Sequence, residues 1–163
     1  MTGKNTILIV AAHPDDEILG CGGTMAKYAD RGDDVHILFL SSGIGARGKD
    51  PANNGTEQTH RRAAANRAAE IIGTHPPRFT DFPDNRMDSV PLLDIVQTIE
   101  PIISKIAPHI VFTHHGSDLN IDHQRASDAT LTACRPVPGS PIEQIFAFEV
   151  LSSTEWGATS TDQ

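Results

Sequence analysis

Two stretches of the chain concentrate the side chains able to hold a cation or move a proton: His13-Pro14-Asp15-Asp16-Glu17, and His114 to His123. The sequence carries eight histidines, and imidazole is the commonest protein ligand for metals. His13 and Asp16 stand three residues apart, so across a turn an imidazole nitrogen and a carboxylate oxygen can converge on one ion. Adjacent carboxylates repel when both point the same way. If one of the Asp15-Asp16 pair ligates a cation, its neighbour is turned aside and stays free as a base. A third ligand has to come from elsewhere, and the second stretch offers His114, His115, Asp118, Asp122 and His123. Three nitrogen or oxygen ligands and an open water position form the pattern of a catalytic zinc site. Taken alone, Asp15 and Asp16 have a plainer use, capping a helix at its positive end. The second histidine- and aspartate-rich stretch shifts the balance toward metal.

Alternating elements must position these residues. Thr6 to Ala12 is a continuous β-branched and apolar run, as expected of a strand buried on both faces of a parallel sheet. Gly20 to Arg31 has helical spacing and a stop at Gly32, and Asp34 to Leu40 is a second buried strand. Gly43 to Glu57 is rich in glycine, asparagine and charge and is expected to be a long loop. A helix over His60 to Ile72, a short strand at Arg78 to Phe82 and an amphipathic helix over Leu92 to Ile106 follow. The last elements are a strand at Ile110 to Thr113, a helix at Gln124 to Cys134 and a strand at Ile145 to Val150. This order predicts a three-layer α/β domain with a mostly parallel sheet. In such sheets ligands bind beyond the carboxyl ends of the strands. His13 to Glu17, Ser41 to Arg47, Asp81 to Asp88 and His114 to His123 each follow a strand, so four polar loops meet at one sheet edge.

The chain has 163 residues, Lys+Arg 13 against Asp+Glu 21, and a formal net charge of −8. That length suits one domain with a real core. The acidic balance argues against nucleic acid as a partner. Cys21 and Cys134 are too few for a disulfide scaffold. Ile7 to Ala12 is too short for a signal-peptide core or a membrane span, so a cytoplasmic protein with no membrane partner is expected. Gly20-Cys21-Gly22-Gly23 has a superficial likeness to a dinucleotide loop. Met25 stands where its third glycine would fall, however, and acids precede it where a pyrophosphate would approach.

Ala12-His13-Pro14-Asp15-Asp16-Glu17, followed by Gly20-Cys21-Gly22-Gly23-Thr24, resembles the signature of the PIG-L/LmbE-like zinc-dependent N-acetylglucosaminyl deacetylases. Thr113-His114-His115-Gly116-Ser117-Asp118-Leu119-Asn120-Ile121-Asp122-His123 resembles the family's second metal loop. Gly45-Ala46-Arg47-Gly48, Arg61 and Asp81-Phe82-Pro83-Asp84-Asn85 fall between them in the expected order, and the likeness runs from about Ile7 to Trp156. The resemblance implies a Rossmann-like domain that hydrolyses the acetamide of an amino sugar. It makes His13, Asp16 and His123 the zinc ligands, with ferrous iron or another divalent metal also compatible. By the same resemblance Asp15 is the general base for a zinc-activated water, and Arg47, Arg61, Asp84 and Asp122 line or support the sugar site.

The sequence departs from the family's pattern in three places. Asn120 stands where many members carry a histidine thought to assist the oxyanion. An amide donates a hydrogen bond but does not shuttle a proton, which leaves His114 or His115 to share that task. Ala64 occupies a position where a glutamate is expected after Arg61. Residues 1–151 are expected to form the deacetylase domain and 152–163 a polar tail, without the family's usual C-terminal part. A sheet edge left uncovered in this way invites association and leaves a homo-oligomer open. The alternative reading is a truncated, catalytically impaired metal- or sugar-binding domain of the same fold.

Overall fold

In the computed structural model, which describes residues 3–45 and 54–156, five parallel strands form one sheet in the order β3-β2-β1-β4-β5. The strands are β1 (Thr6–Ala11), β2 (Asp34–Ser41), β3 (Arg78–Phe82), β4 (Ile110–His114) and β5 (Gln144–Phe148). Between them run α1 (Asp16–Asp30), α2 (Asn54–Ile72), α3 (Leu92–Ile106) and α4 (Ile121–Ala133). The expectation of an α/β domain holds, and the sheet is parallel throughout.

β1 is the central strand because both of its faces are apolar. Leu8, Val10 and Ala12 face a core shared with Leu38, Leu40, Val111 and the α3 stripe Ile95, Ile99 and Ile103. Ile7, Ile9 and Ala11 face the other core, with Val35, Ile37, Phe39, Met25 of α1 and Ala65 of α2. Alternation along one strand therefore feeds two cores, which makes three layers. Beside β1 the strand order reverses: β2 pairs on one side and β4 on the other. A crevice opens beyond the carboxyl ends of the strands at such a point, and the loops after β1 and β4 border it.

Three helices begin earlier than their apolar spacing predicts. α1 starts at Asp16, so the acidic cluster is its first turn. α2 starts at Asn54, and α4 at Ile121 behind the N-cap Asn120. Gly20, inside α1, leaves no room for a side chain, since a Cβ there would run into the ring of Phe148 from β5. No helix among the described residues is long and apolar enough to cross a membrane.

Candidate metal centre

The Asp16 carboxylate is the centre of the site. Its Oδ2 accepts the His13 backbone N–H at 2.9 Å. The same oxygen lies 3.3 Å from His13 Nδ1, 3.3 Å from His123 Nε2 and 3.4 Å from His114 Nε2. His13 leaves the end of β1, Asp16 opens α1, His114 ends β4 and His123 sits in the first turn of α4. Burial alone would raise the Asp16 carboxyl, but the imidazoles of His114, His123 and His13 hold it well below the usual carboxylate range. Neither Asp15 nor Asp16 caps α1: Asp15 occupies the N-cap position and makes no side-chain cap bond.

Two further carboxylates orient the outer imidazole nitrogens. His13 Nε2 meets Asp122 Oδ2 at 2.9 Å and Asp84 Oδ1 at 3.1 Å. His123 Nδ1 meets Asp118 Oδ2 at 3.1 Å. An ionised carboxylate only accepts, so these contacts put protons on His13 Nε2 and His123 Nδ1. His13 Nδ1 and His123 Nε2 are then the nitrogens that face Asp16. Burial opposes a second proton on His13, but Asp122, Asp16 and Asp84 outweigh it and push that imidazole up to about 11.

The supporting carboxylates are themselves anchored. Asp122, fully buried, accepts the backbone N–H of Asn85 at 2.6 Å and of Met87 at 2.9 Å. Asp84 accepts the Gly45 N–H at 2.6 Å. Asn120 Oδ1 accepts the Asp122 N–H at 2.9 Å, and its Nδ2 donates to Asn85 at 3.3 Å. Asp118 accepts from Asn120 N at 2.8 Å, from Ser153 Oγ at 3.0 Å and from Thr154 Oγ1. Ser153 and Thr154 belong to the stretch whose polar sequence predicts no packed element of its own. They lead instead into a 3-10 turn, Thr154–Trp156, beside the site.

Three groups among the described residues bring three ligand atoms within 4.8 Å of one another: His13/Asp16/His123, His114/Asp118/His123 and His13/Asp84/Asp122. The third uses His13 Nε2, the nitrogen whose proton is held by Asp122 and Asp84. In the second, Asp118 has several donors, and the His114 and His123 rings are stacked with centroids 3.9 Å apart, so their in-plane lone pairs do not converge. In the first, His13 Nδ1 and His123 Nε2 both face Asp16 Oδ2, and an ion there would take the place of the protons these imidazoles otherwise hold against the carboxylate, so this is the set that fits an ion. Charge supports this fit. Asp16, Asp84, Asp118, Asp122 and Glu17 are all buried, whereas no lysine or arginine is buried among the described residues. Buried carboxylates need compensating charge, and a divalent cation on His13, Asp16 and His123 would supply it.

The remaining expected residues fall around this set. Asp15 is exposed and shares the lining of a groove with Pro14, Arg61 and Ala64. Burial of its surroundings and the nearby Asp16 raise the Asp15 carboxyl, while Arg61 lowers it. Arg47 lies outside the described residues. Asp84 and Asp122 are buried beneath His13, and Asn120 is the α4 N-cap, so the structure places these three as supports of the cluster. His115 is exposed, and His114 is buried with Nε2 accepting the Ala12 N–H at 2.9 Å. The sequence offers Asp118 only as a candidate ligand, gives Glu17 no separate role within its motif, and does not point to Ser153 or Thr154.

The family model for PIG-L, GlcNAc-PI de-N-acetylase, matches residues 8–134. The chain belongs to the PIG-L family. Among PIG-L relatives, the uncharacterized deacetylase YaiS of Escherichia coli is 31% identical over 156 residues, covering 92% of this chain and 76% of YaiS. The 1D-myo-inositol 2-acetamido-2-deoxy-alpha-D-glucopyranoside deacetylase of Rhodococcus erythropolis is 30% identical, covering 83% of this chain and 57% of that protein. In structure, the N,N'-diacetylchitobiose deacetylase of Pyrococcus horikoshii superposes with a TM-score of 0.71 at 20% identity, over 83% of this chain and 52% of its own. That last likeness shows the shared fold. The chain thus spans between about half and three quarters of the length of these proteins.

The Asp118 contacts carry a testable consequence. Partners that orient a metal-bound histidine change metal affinity by about 10–100-fold when removed. Asp118→Asn is therefore expected to weaken divalent-metal binding by about that factor. Thr154→Val should weaken it less, because Asp118 keeps its Ser153 and Asn120 donors. Competition against a coloured chelator measures both.

Proposed function

We propose that the chain is a metal-dependent N-deacetylase acting on a small N-acetylated amino sugar of the N-acetylglucosamine type, or on a conjugate of one. The observation that carries this reading is the convergence of His13 Nδ1, Asp16 Oδ2 and His123 Nε2, with the exposed carboxylate of Asp15 one residue away in sequence. The name of the Rhodococcus erythropolis relative supports the substrate class.

His13, Asp16 and His123 would hold the ion, and zinc suits two imidazoles and a carboxylate, with ferrous iron as the other candidate. Bound there, it would supply Lewis acidity and lower the pKa of a water toward ~7. Asp122 and Asp118 keep the two histidines in the tautomers that leave the inner nitrogens free. Asp15 takes a proton from the water that attacks the acetamide carbon. As the C–N bond breaks, the same carboxyl returns the proton to the departing nitrogen. An acetamide and one water give acetate and a protonated amine, the amine taking the acid proton of the nascent acetic acid, and Asp15 ends as it began. Arg61, which lines the same groove as Asp15, would bind a sugar hydroxyl or an anionic substituent. A small soluble substrate and a cytoplasmic setting, with no nucleic acid or membrane partner, complete the reading.

The test loads the metal-free protein with zinc or ferrous iron and presents N-acetylglucosamine and a set of its glycosides. Free amine and acetate should appear in equal amounts. If the ion binds stoichiometrically and no substrate yields amine, the chain is a binding domain and the deacetylase reading is wrong.

A further inference from the structure

The first turn of α1 contains an inversion of ordinary capping. A residue in the N-cap position normally uses its side-chain oxygen to accept an N–H of the first helical turn. Asp15 occupies that position and does not do so. Its backbone stands instead at φ 137 and ψ −30, a conformation that side-chain-bearing residues rarely adopt. Its carbonyl oxygen begins the helix by accepting from Ile18 N at 3.1 Å and Leu19 N at 3.0 Å. Its own N–H is taken by Glu17 Oε2 at 3.0 Å, from a side chain only 2% exposed.

We infer that Glu17 is a positioning residue for Asp15, holding its N–H so that the Asp15 carboxylate stays out of the helix cap and available to substrate. The inference rests on Asp15 being the base of the proposed reaction. Its physical content is a competition. With the N–H held by Glu17 and the carbonyl held by Ile18 and Leu19, the bond that φ describes is fixed at both ends. Once the Glu17 acceptor is removed, Asp15 relaxes to an ordinary φ. Its carboxylate then folds onto the free N–H groups of the first turn, the resting place of an aspartate at an N-cap. A strained backbone next to a site persists only where its surroundings over-determine it, and here the buried Glu17 carboxyl is one of those determinants.

Two conservative variants separate reach from charge. Glu17→Gln keeps an oxygen acceptor at the same distance, whereas Glu17→Asp keeps the charge and withdraws it by one methylene. Displacement of a reacting group by about 1 Å can cost about 10²-fold in rate. Glu17→Asp is accordingly expected to lower kcat by about 10²-fold with KM nearly unchanged, and Glu17→Gln to stay within about threefold of the parent. Cobalt(II) absorption should be the same in all three proteins, because no ligand is altered. Amide hydrogen exchange at Asp15 supplies a readout independent of turnover, and should be about tenfold faster in Glu17→Asp alone. The inference is overturned if Glu17→Asp turns over like the parent, or if both variants lose activity equally while the Asp15 amide stays protected. Should the parent release no amine from any sugar, the deacetylase reading fails. The exchange contrast between the two variants still decides whether Glu17 holds Asp15.

Discussion

Replacing Asp15 by asparagine is expected to remove about 10²–10⁴-fold of the turnover on an acetylated amino sugar while leaving the bound ion in place. The two halves of that result come from different atoms. Asparagine is nearly the same size and tolerates positive φ, so the turn that carries His13 and Asp16 should survive. What is lost is a group able to take a proton from water and return it to nitrogen. Single-turnover kinetics together with metal analysis of the same sample measure both halves. If Asp15→Asn retains its ion and turns over as fast as the parent, the base is another residue.

Stripping the ion with a chelator is expected to abolish turnover and to lower the melting temperature. The physical cause of the second effect is the charge imbalance inside the fold: five buried acidic side chains share three buried imidazoles, with no buried lysine or arginine among the described residues. An ion present at about a thousand times its Kd stabilises the native state by about 4 kcal/mol. For a domain of this size that corresponds to a rise of roughly 8–16 °C. Differential scanning calorimetry of stripped and reloaded protein tests the value, and Asp16→Ala should abolish the rise. A melting temperature indifferent to zinc and iron would leave the cluster as a hydrogen-bonded polar core.

The residues legible in the sequence were those whose signal is local. Thr6 to Ala12 reads as a doubly buried strand because every side chain in it is apolar or β-branched. α3 reads correctly to both ends because Leu92, Ile95, Val96, Ile99 and Ile103 repeat along one face. The start of α1 was hidden because its first turn is built from acids that serve the site, so apolar spacing begins only later. α4 was hidden in the same way, since Asn120 and Asp122 give its first turn a polar look. The support layer was legible only in part. Asp84 and Asp122 could be named as neighbours of the site, but their partners are backbone N–H groups of Gly45, Asn85 and Met87, and such donors leave no mark on residue identity. Ser153 and Thr154 read as tail because a hydroxyl bonded to a residue 35 or 36 positions away produces no periodicity.

The long separations between partners in the cluster also set an order of events during synthesis. His13 and Asp122 are 109 positions apart, and the residues that brace Asp118 emerge later still. A nascent chain still on the ribosome can pair β1 with β2 while half of the ion's cradle is unmade. A cation captured by His13 and Asp16 at that stage would have only two protein ligands and would exchange freely. On the proposed reading, any choice of ion would fall to the folded molecule, after α4 and Ser153 have joined the site.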